Sequence, residues 1–310
     1  MNNPLVSICV ITYNSSRTIL ETLESAQSQS YDPIELIIAD DGSNDNTVEL
    51  CRDWIKTNGD RFVRCELIAA DCNKGIAANF NRAWKSAQGE WVKSIAGDDV
   101  LMPDCIRQNV EFVTGKDCKI VFSTIKAFKN DKDNKHTFLF DLPMNEEKPF
   151  FSLSAKDQYE ALLINNLGPT APSSFIHSDL LKEVGYANEN FPFLEDYPLW
   201  LELTKRGHQL VLLDCPTIYY RFEDSITRNK GIYASSFYFF SLKKFWYEKI
   251  KPELASRNIK HQIKKEVYFI QMTVAIKFLR NKPNKFNDRI LKYLAKIIKL
   301  GLKIKYGQRL

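Results

Sequence analysis

The sequence predicts an α/β protein, a mostly parallel sheet flanked by helices, followed by a basic helical extension. Three observations carry this reading. Short apolar runs alternate with amphipathic stretches four times in roughly the first 100 residues, the pattern of successive βα units. Each apolar run ends in polar or acidic residues. Charge then divides the chain: Ile232 to Leu310 holds nineteen Lys and Arg against four acids, a net +15, which leaves −10 on residues 1–231 within a total of +5. We therefore expect a ligand-binding body over residues 1–231 and a separate basic region over 232–310.

Taken in order, Val6 to Thr12 reads VSICVIT, a continuous apolar run of the kind buried on both faces of a sheet. Tyr13-Asn14-Ser15-Ser16 breaks it with turn and N-cap residues, and Ile19, Leu20, Leu23 and Ala26 recur at helical spacing. Ile34 to Ala39 is a second strand, ending in Asp40-Asp41-Gly42-Ser43. Asn44 to Thr47 then caps a helix running to about Asn58. Phe62 to Ala69 predicts a third strand. Asn73-Lys74-Gly75 opens a helix through Ala87, with Gly89 as its C-cap. Trp91 to Ile95 is the fourth strand, and Gly97-Asp98-Asp99 turns the chain toward Pro103, a residue suited to a helix's first turn.

Beyond this point the pattern is less regular. Ile120 to Phe128 predicts a strand, with Lys129 to His136 as a charged hairpin tip. Lys156 to Leu163 predicts a short helix, with Leu167 to Pro172 as the loop behind it. Leu199, Trp200, Leu203 and Thr204 fall at helical spacing and place Glu195-Asp196 at a helix N-terminus, where the helix dipole favours ionised carboxylates. Gln209–Leu213 and Ile218–Arg221 read as two closing strands.

Seven scattered cysteines, odd in number and without a CxxC pair, argue for a reducing compartment and against both a disulfide framework and a zinc site. Leu5 to Ile11 is too short for a signal peptide's apolar core, and no apolar run reaches about 18 residues. No GxGxxG or GxxxxGK[ST] occurs, so neither a dinucleotide site nor a P-loop is supported.

Ligands of parallel α/β sheets bind beyond the carboxyl ends of the strands. Here those ends carry Thr12-Tyr13-Asn14, Asp40-Asp41, Asn73-Lys74-Gly75 and Asp98-Asp99. Two adjacent acids at a strand end are placed to hold a divalent cation through oxygen, which suits Mg²⁺ or Mn²⁺. They also make ordinary turn and helix caps. Polar groups at all four strand ends favour a shared ligand.

The motifs VSICVITYN, IIADDGSND, NKGIAANFN and GEWVKSIAGDD, in this order and spacing, resemble the N-terminal half of a family 2 glycosyltransferase with the GT-A fold. The resemblance implies a nucleotide-diphosphate sugar donor, specifically a UDP-sugar. It assigns Thr12 and Tyr13 to the nucleoside, Asn14 to support of their loop, Asp41 to the uracil N3–H, Asp98 to the nucleotide site and Asp99 to the metal, Mn²⁺ or Mg²⁺. Asn81 matches the family pattern, whereas Phe80 stands where relatives carry a cation; Lys74 is the candidate replacement as a phosphate ligand. The resemblance makes Asp196 the catalytic base and Glu195 the acceptor-orienting acid. Phe175-Ile176-His177 resembles the wall of the acceptor side, and His177 alone reads as a structural hydrogen-bonder. Relatives often carry a histidine where Glu223 stands, which leaves one metal or phosphate contact unassigned.

The resemblance further implies an inverting hexosyltransferase, glucose in β linkage being the first choice. The acceptor it implies is an undecaprenyl-diphosphate GlcNAc-type lipid of O-antigen or another surface polysaccharide. A dTDP-rhamnose-dependent rhamnosyltransferase is the alternative within the class, and a non-catalytic membrane-bound scaffold the alternative outside it.

In the tail, Lys292, Lys296, Lys299 and Lys303 form a stripe at steps of four, three and four. Ile290, Leu291, Leu294, Ile297, Ile298, Leu302 and Ile304 cover much of the remainder. Such a helix suits an anionic membrane surface, with the lysines snorkelling, or packs on the body and presents lysines to water. The charge imbalance favours the membrane, and with it the resemblance implies a peripheral protein on the cytoplasmic side of the bacterial inner membrane. No nucleic-acid-binding motif accompanies the basic residues.

Overall fold

The four apolar runs form strands β1 (Val6–Thr12), β2 (Ile34–Asp40), β3 (Arg64–Ala69) and β4 (Trp91–Ala96), all parallel and ordered β3-β2-β1-β4. The computed structural model describes residues 3–130, 136–165, 170–222, 232–255 and 257–306, with side chains through residue 300. Glu223, the segments 131–135 and 167–169, and the side chains of Leu302, Lys303 and Ile304 lie outside the described residues. The chain divides into two compact units, Met1–Phe222 and Glu223–Leu310.

Every residue of β1 and β2 is buried, as continuous apolar runs require of central strands. Val6, Ile8, Val10, Trp91 and Ile95 face one side, packed with Ile19 and Leu23 of α1 (Ile19–Gln27) and Cys51 and Trp54 of α2 (Thr47–Asn58). On the other side α3 (Ile76–Ser86) packs across β1 and β2, and Trp84 Nε1 donates to Ser94 Oγ at 2.8 Å. Helices therefore cover both faces.

Several boundaries differ from expectation for identifiable reasons. The third strand starts at Arg64 because Gly59–Arg61 closes a 3₁₀ turn. Gly89 does not cap α3, which ends at Ser86. A Cβ on Gly89 would lie 2.5 Å from Ser7 Oγ, so the glycine permits a close approach between chains. Val100–Leu101, apolar but unassigned in sequence, forms a short strand, β5. α4 (Cys105–Val113) begins after Asp104 rather than at Pro103.

β6 (Ile120–Asn130) and β7 (His136–Leu142) form an antiparallel hairpin, and α5 spans Ala155–Ile164. β8 (Ser174–His177), α6 (Ser178–Val184) and α7 (Tyr197–Lys205) follow. The two closing strands expected are one, β9 (Val211–Arg221). Its pairing with β6 shifts register around Pro216, where a missing N–H interrupts the ladder without ending the strand. The complete sheet runs β3-β2-β1-β4-β8-β6-β9-β5, with β7 beside β6. β8 is antiparallel to both β4 and β6, so the sheet is mixed at its centre.

The second unit is helical. α8 (Ser236–Phe245) runs through a π-helical turn, Trp246–Ile250, into α9 (Lys251–Leu254); α10 spans Ile259–Phe278 and α11 Lys285–Tyr306. Phe239, Phe245, Trp246 and Phe269 form its buried aromatic centre. α11 carries two apolar stripes rather than one broad face. Asn287 and Leu291 are buried, Leu294 and Ile298 half-buried, and α11 packs on α10. Tyr293, Ile297 and Leu300 are exposed beside the exposed Lys292, Lys296 and Lys299. Among the described residues, no helix is long and apolar enough to cross a membrane.

Candidate active site

The carboxyl edge of β1, β2 and β4 gathers the acids that the sequence places at strand ends. In the register, Thr12 lies opposite Asp40 and Ile11 opposite Ala96, so the three loops beyond them emerge side by side. Asp40 serves the turn itself: its oxygens accept from Ser43 N at 2.8 Å and Ser43 Oγ at 2.5 Å. Asn14 adopts φ +52°, a left-handed conformation that asparagine tolerates, and bridges the first two loops. Its amide donates to Ser43 Oγ at 2.8 Å and its Oδ1 accepts from Asn44 N at 2.9 Å. Beside this braced turn Tyr13 is 41 % exposed, an open aromatic face at the sheet edge. Thr12 is buried, and among the described residues its Oγ1 has no hydrogen-bond partner.

Asp41 is 3 % exposed and extensively hydrogen-bonded. Its carboxylate accepts from Lys74 N at 3.1 Å and Gly75 N at 2.8 Å, and it pairs with the Arg82 guanidinium. Arg82 also donates to Asp40 O at 3.0 Å and Asn79 Oδ1 at 3.1 Å. Asn79 in turn donates to Thr12 O at 3.1 Å and Ala39 O at 3.0 Å. Arg82 and Asn79 thus tie the ends of β1 and β2 to α3. Neither was identified from sequence, although Arg82 supplies a cation on the helix where Phe80 lacks one. The Lys74 side chain is exposed, and its backbone contact with Asp41 is what the structure shows of it.

Asn81, expected near the nucleotide, is directed elsewhere. Its amide donates to Ala187 O at 2.9 Å and Glu189 Oε1 at 2.7 Å, and its Oδ1 accepts from Ala187 N at 2.9 Å. It anchors the loop that leads to Glu195. Gly75 marks a second contact with that loop: at φ +97° it has a hypothetical Cβ 2.7 Å from Pro192 O, and Ala77 N donates to the same carbonyl at 3.1 Å. Only glycine combines this conformation with such an approach. The turn that holds Asp41 therefore also seats the segment preceding Glu195-Asp196.

At the end of β4, Asp98 is exposed and Asp99 only 1 % exposed. Thr18 Oγ1 donates to Gly97 O and Thr22 Oγ1 to Asp99 O, both at 2.7 Å, fastening this turn to α1. β5 pairs with β9 immediately afterwards, which brings Arg221 alongside. Arg221 N donates to Asp99 Oδ1 at 2.8 Å and Arg221 Nε to Asp98 O at 2.7 Å, while its guanidinium pairs with Glu21 of α1. Behind the turn Lys93 is fully buried, its Nζ donating to Pro172 O at 2.7 Å and Ser174 O at 3.2 Å. Burial pushes its pKa down, opposed by Cys105 and Asp99.

The donor chemistry at this turn fits Mg²⁺ or Mn²⁺. Asp98 and Asp99 offer adjacent carboxylate oxygens at the end of a parallel strand, hard donors of the kind these cations take. Among the described residues no group of three His, Cys, Asp or Glu is gathered as a metal cage. Magnesium characteristically binds through one or two carboxylates, completed by water and substrate phosphates.

Asp196 is the N-cap of α7, and its Oδ1 accepts from Tyr197 N at 2.5 Å. The helix was expected to keep this carboxyl ionised. Its pKa is instead raised, because burial penalises the charge more than the Tyr197 amide stabilises it. Glu195 is raised well above the ordinary glutamate value, first by burial and then by the charge of Asp196. Two adjacent carboxyls in poorly solvated surroundings favour sharing a proton over ionising together. A carboxyl whose pKa is moved toward neutrality is better suited to accept a proton than an ordinary aspartate. His177 caps α6, its Nδ1 accepting from Asp179 N at 3.3 Å, in keeping with a structural role.

The sequence profile described as "Glycosyl transferase family 2" matches residues 7–184. A relative from Escherichia coli, UDP-Glc:alpha-D-GlcNAc-diphosphoundecaprenol beta-1,3-glucosyltransferase WfaP, is 30% identical over 229 residues, covering 73% of this chain and 81% of that protein. The putative teichuronic acid biosynthesis glycosyltransferase TuaG of Bacillus subtilis is 25% identical over 237 residues, covering 76% and 86% respectively. Among solved structures, S. aureus TarS 1–349 in complex with UDP-GlcNAc superposes with a TM-score of 0.57 at 16% identity, covering 96% of this chain and 88% of that one. The likeness extends to the fold, a curled mixed sheet with flanking helices. With its acid-lined sheet edge and a match over more than half its length, the chain belongs to glycosyl transferase family 2 and is a nucleotide-sugar-dependent glycosyltransferase of the GT-A fold.

Proposed function

We propose that this enzyme transfers glucose, with inversion to a β linkage, from UDP-glucose to a lipid-linked GlcNAc-diphosphate acceptor in bacterial surface-polysaccharide synthesis. The observation that carries the reading is that the Gly75 turn, whose amide holds Asp41 at the acid-lined sheet edge, also seats at Pro192 the loop leading to Glu195-Asp196. The choice of donor and acceptor is supported by the name of the E. coli relative.

In this reading the uracil lies against Tyr13, whose exposed ring offers a stacking face. Asp41 accepts from the base and is held in orientation by Lys74, Gly75 and Arg82, while Thr12 Oγ1 is a further donor at the nucleoside. Asn14 braces the loop, and Asn81 positions the acceptor-side loop rather than touching the nucleotide. Lys74 is the cation available to the diphosphate. Asp99, with Asp98 beside it, would hold Mn²⁺ or Mg²⁺, which when bound neutralises charge on the departing nucleoside diphosphate. Asp196 takes the proton from the acceptor hydroxyl as that oxygen attacks the anomeric carbon. Glu195, beside it, orients the acceptor.

The second unit, in this proposal, holds the enzyme on the cytoplasmic face of the inner membrane. The exposed Tyr293, Ile297 and Leu300 lie beside Lys292, Lys296 and Lys299, apolar contact and cationic attraction on neighbouring stripes of α11.

The test is a panel of UDP-glucose, UDP-galactose, UDP-GlcNAc and dTDP-rhamnose against a polyprenyl-diphosphate GlcNAc analogue, with Mn²⁺, Mg²⁺ or EDTA. A β-glucoside formed from UDP-glucose and abolished by EDTA is expected. Preferential use of dTDP-rhamnose would replace the donor assignment. UDP binding without transfer to any acceptor would favour a scaffold.

A further inference from the structure

Arg221 meets both residues of the acidic turn. It is the last residue of β9, paired with Phe128 in the sheet, and is 6 % exposed. Its backbone amide holds Asp99 Oδ1, its Nε holds Asp98 O, and one guanidinium nitrogen pairs with Glu21. The guanidinium lies over the Phe128 ring, 4.6 Å from the ring centre. Glu21 is itself bracketed, since His136 Nε2 lies 2.8 Å from its other oxygen. One residue thus touches both acids of the turn and links them to α1. Among the described residues, the remaining nitrogen, Nη1, is buried without a hydrogen-bond acceptor. Burying a donor in this way opposes stability, so a side chain selected by packing alone would not be charged here.

We propose that Arg221 is a positioning residue for the metal and diphosphate site. Its backbone amide orients the Asp99 carboxylate, and its side chain fixes the path of the Asp98 backbone against α1, before the cation and diphosphate arrive. The inference rests on the metal-dependent reading of the acidic turn. A lysine would keep the positive charge but could not reproduce the planar fork that reaches Asp98 O and Glu21 together. Residues that orient metal ligands characteristically affect metal affinity by about 10–100-fold when replaced.

The test measures Mn²⁺ binding by electron paramagnetic resonance in the presence of UDP, on the full chain and without turnover. The substitutions are Arg221→Lys and, at the partially exposed partner on α1, Glu21→Ala. Arg221→Lys should weaken Mn²⁺ binding by about tenfold or more although charge is conserved, and Glu21→Ala by a smaller factor in the same direction. If Arg221→Lys does not fold, Glu21→Ala alone carries the comparison. Parental Mn²⁺ affinity in the folded variants overturns the positioning role while leaving the metal site intact. Absence of Mn²⁺ binding in the parent chain overturns both this inference and the metal reading on which it rests.

Discussion

Replacing Asp196 by Asn separates catalysis from helix capping. Asp196 Oδ1 accepts one hydrogen bond, from Tyr197 N, and the amide oxygen of Asn can accept the same bond. Asn and Asp are comparable N-caps, so α7 loses little. The substitution also removes a charge that burial already disfavours and that raises the pKa of Glu195. Stability at neutral pH should therefore hold or rise slightly. What disappears, in the proposed mechanism, is the capacity to take a proton from the acceptor hydroxyl. A positioned general base contributes on the order of 10²–10⁴ in rate, or roughly 2.7–5.4 kcal/mol of barrier at 1.36 kcal/mol per tenfold. Saturating kinetics with UDP-glucose and a polyprenyl-diphosphate GlcNAc analogue should show kcat lower by that factor. Calorimetric UDP affinity should be unchanged, because the nucleotide edge is built from other strands. A folded Asp196→Asn enzyme with parental kcat would refute the assignment and leave Glu195 as the next carboxyl to replace.

Other outcomes follow from the same geometry. Since the pKa of Asp196 is raised, the acid limb of the kcat profile should fall at a pH above that of an ordinary aspartate, about 3.9, and Asp196→Asn should remove that limb. Glu195 has a folded pKa above its unfolded one, so its stabilising contribution is complete below about 4.3 and lost as pH rises through the folded value. Glu195→Gln should therefore raise Tm more at pH 8 than at pH 4; an equal change at both would contradict the shift. Arg82→Met should weaken UDP binding by freeing Asp41 from its ion pair, and unchanged calorimetric affinity would show that the Lys74 and Gly75 amides suffice. Replacing Tyr293, Ile297 and Leu300 together by Ser should reduce sedimentation with anionic vesicles without altering UDP affinity. Equal sedimentation would remove α11 from membrane attachment.

The sheet was legible because its signals are local. A run such as Val6–Thr12 announces a buried strand within seven residues, and the acids at its neighbours' ends need no distant partner to be noticed. Arg82, Asn79, Lys93 and Arg221 were not legible, because their roles exist only across the fold. Arg82 meets Asp41 from 41 residues away, and Arg221 meets Asp99 from 122. In sequence, Arg221 is one more cation after a tyrosine pair, and Lys93 interrupts an apolar strand without revealing the two carbonyls that receive it. The direction of the pKa shifts at Glu195-Asp196 was not legible for a related reason. A helix N-terminus is visible in sequence and favours charge, whereas the poor solvation that outweighs it depends on the tertiary surroundings.

Gly75 shows how one residue relates the two halves of the reaction. In sequence it opens a helix; in the fold its amide holds Asp41, the proposed uracil acceptor, while its missing Cβ admits the Pro192 carbonyl of the loop leading to Asp196, the proposed base. A Cβ at this position would displace one side or the other, because φ +97° is strained for any L side chain and Pro192 O lies within 2.7 Å. Asn81, one helical turn and a half further along α3, secures the same loop at Ala187 and Glu189. The first turns of α3 therefore hold both the Asp41 turn and the loop leading to Asp196, the groups assigned in the proposed mechanism to donor and base. That separation matters most to in-line attack, in which small misplacement of the reacting groups costs large factors in rate while leaving each half able to bind its own ligand.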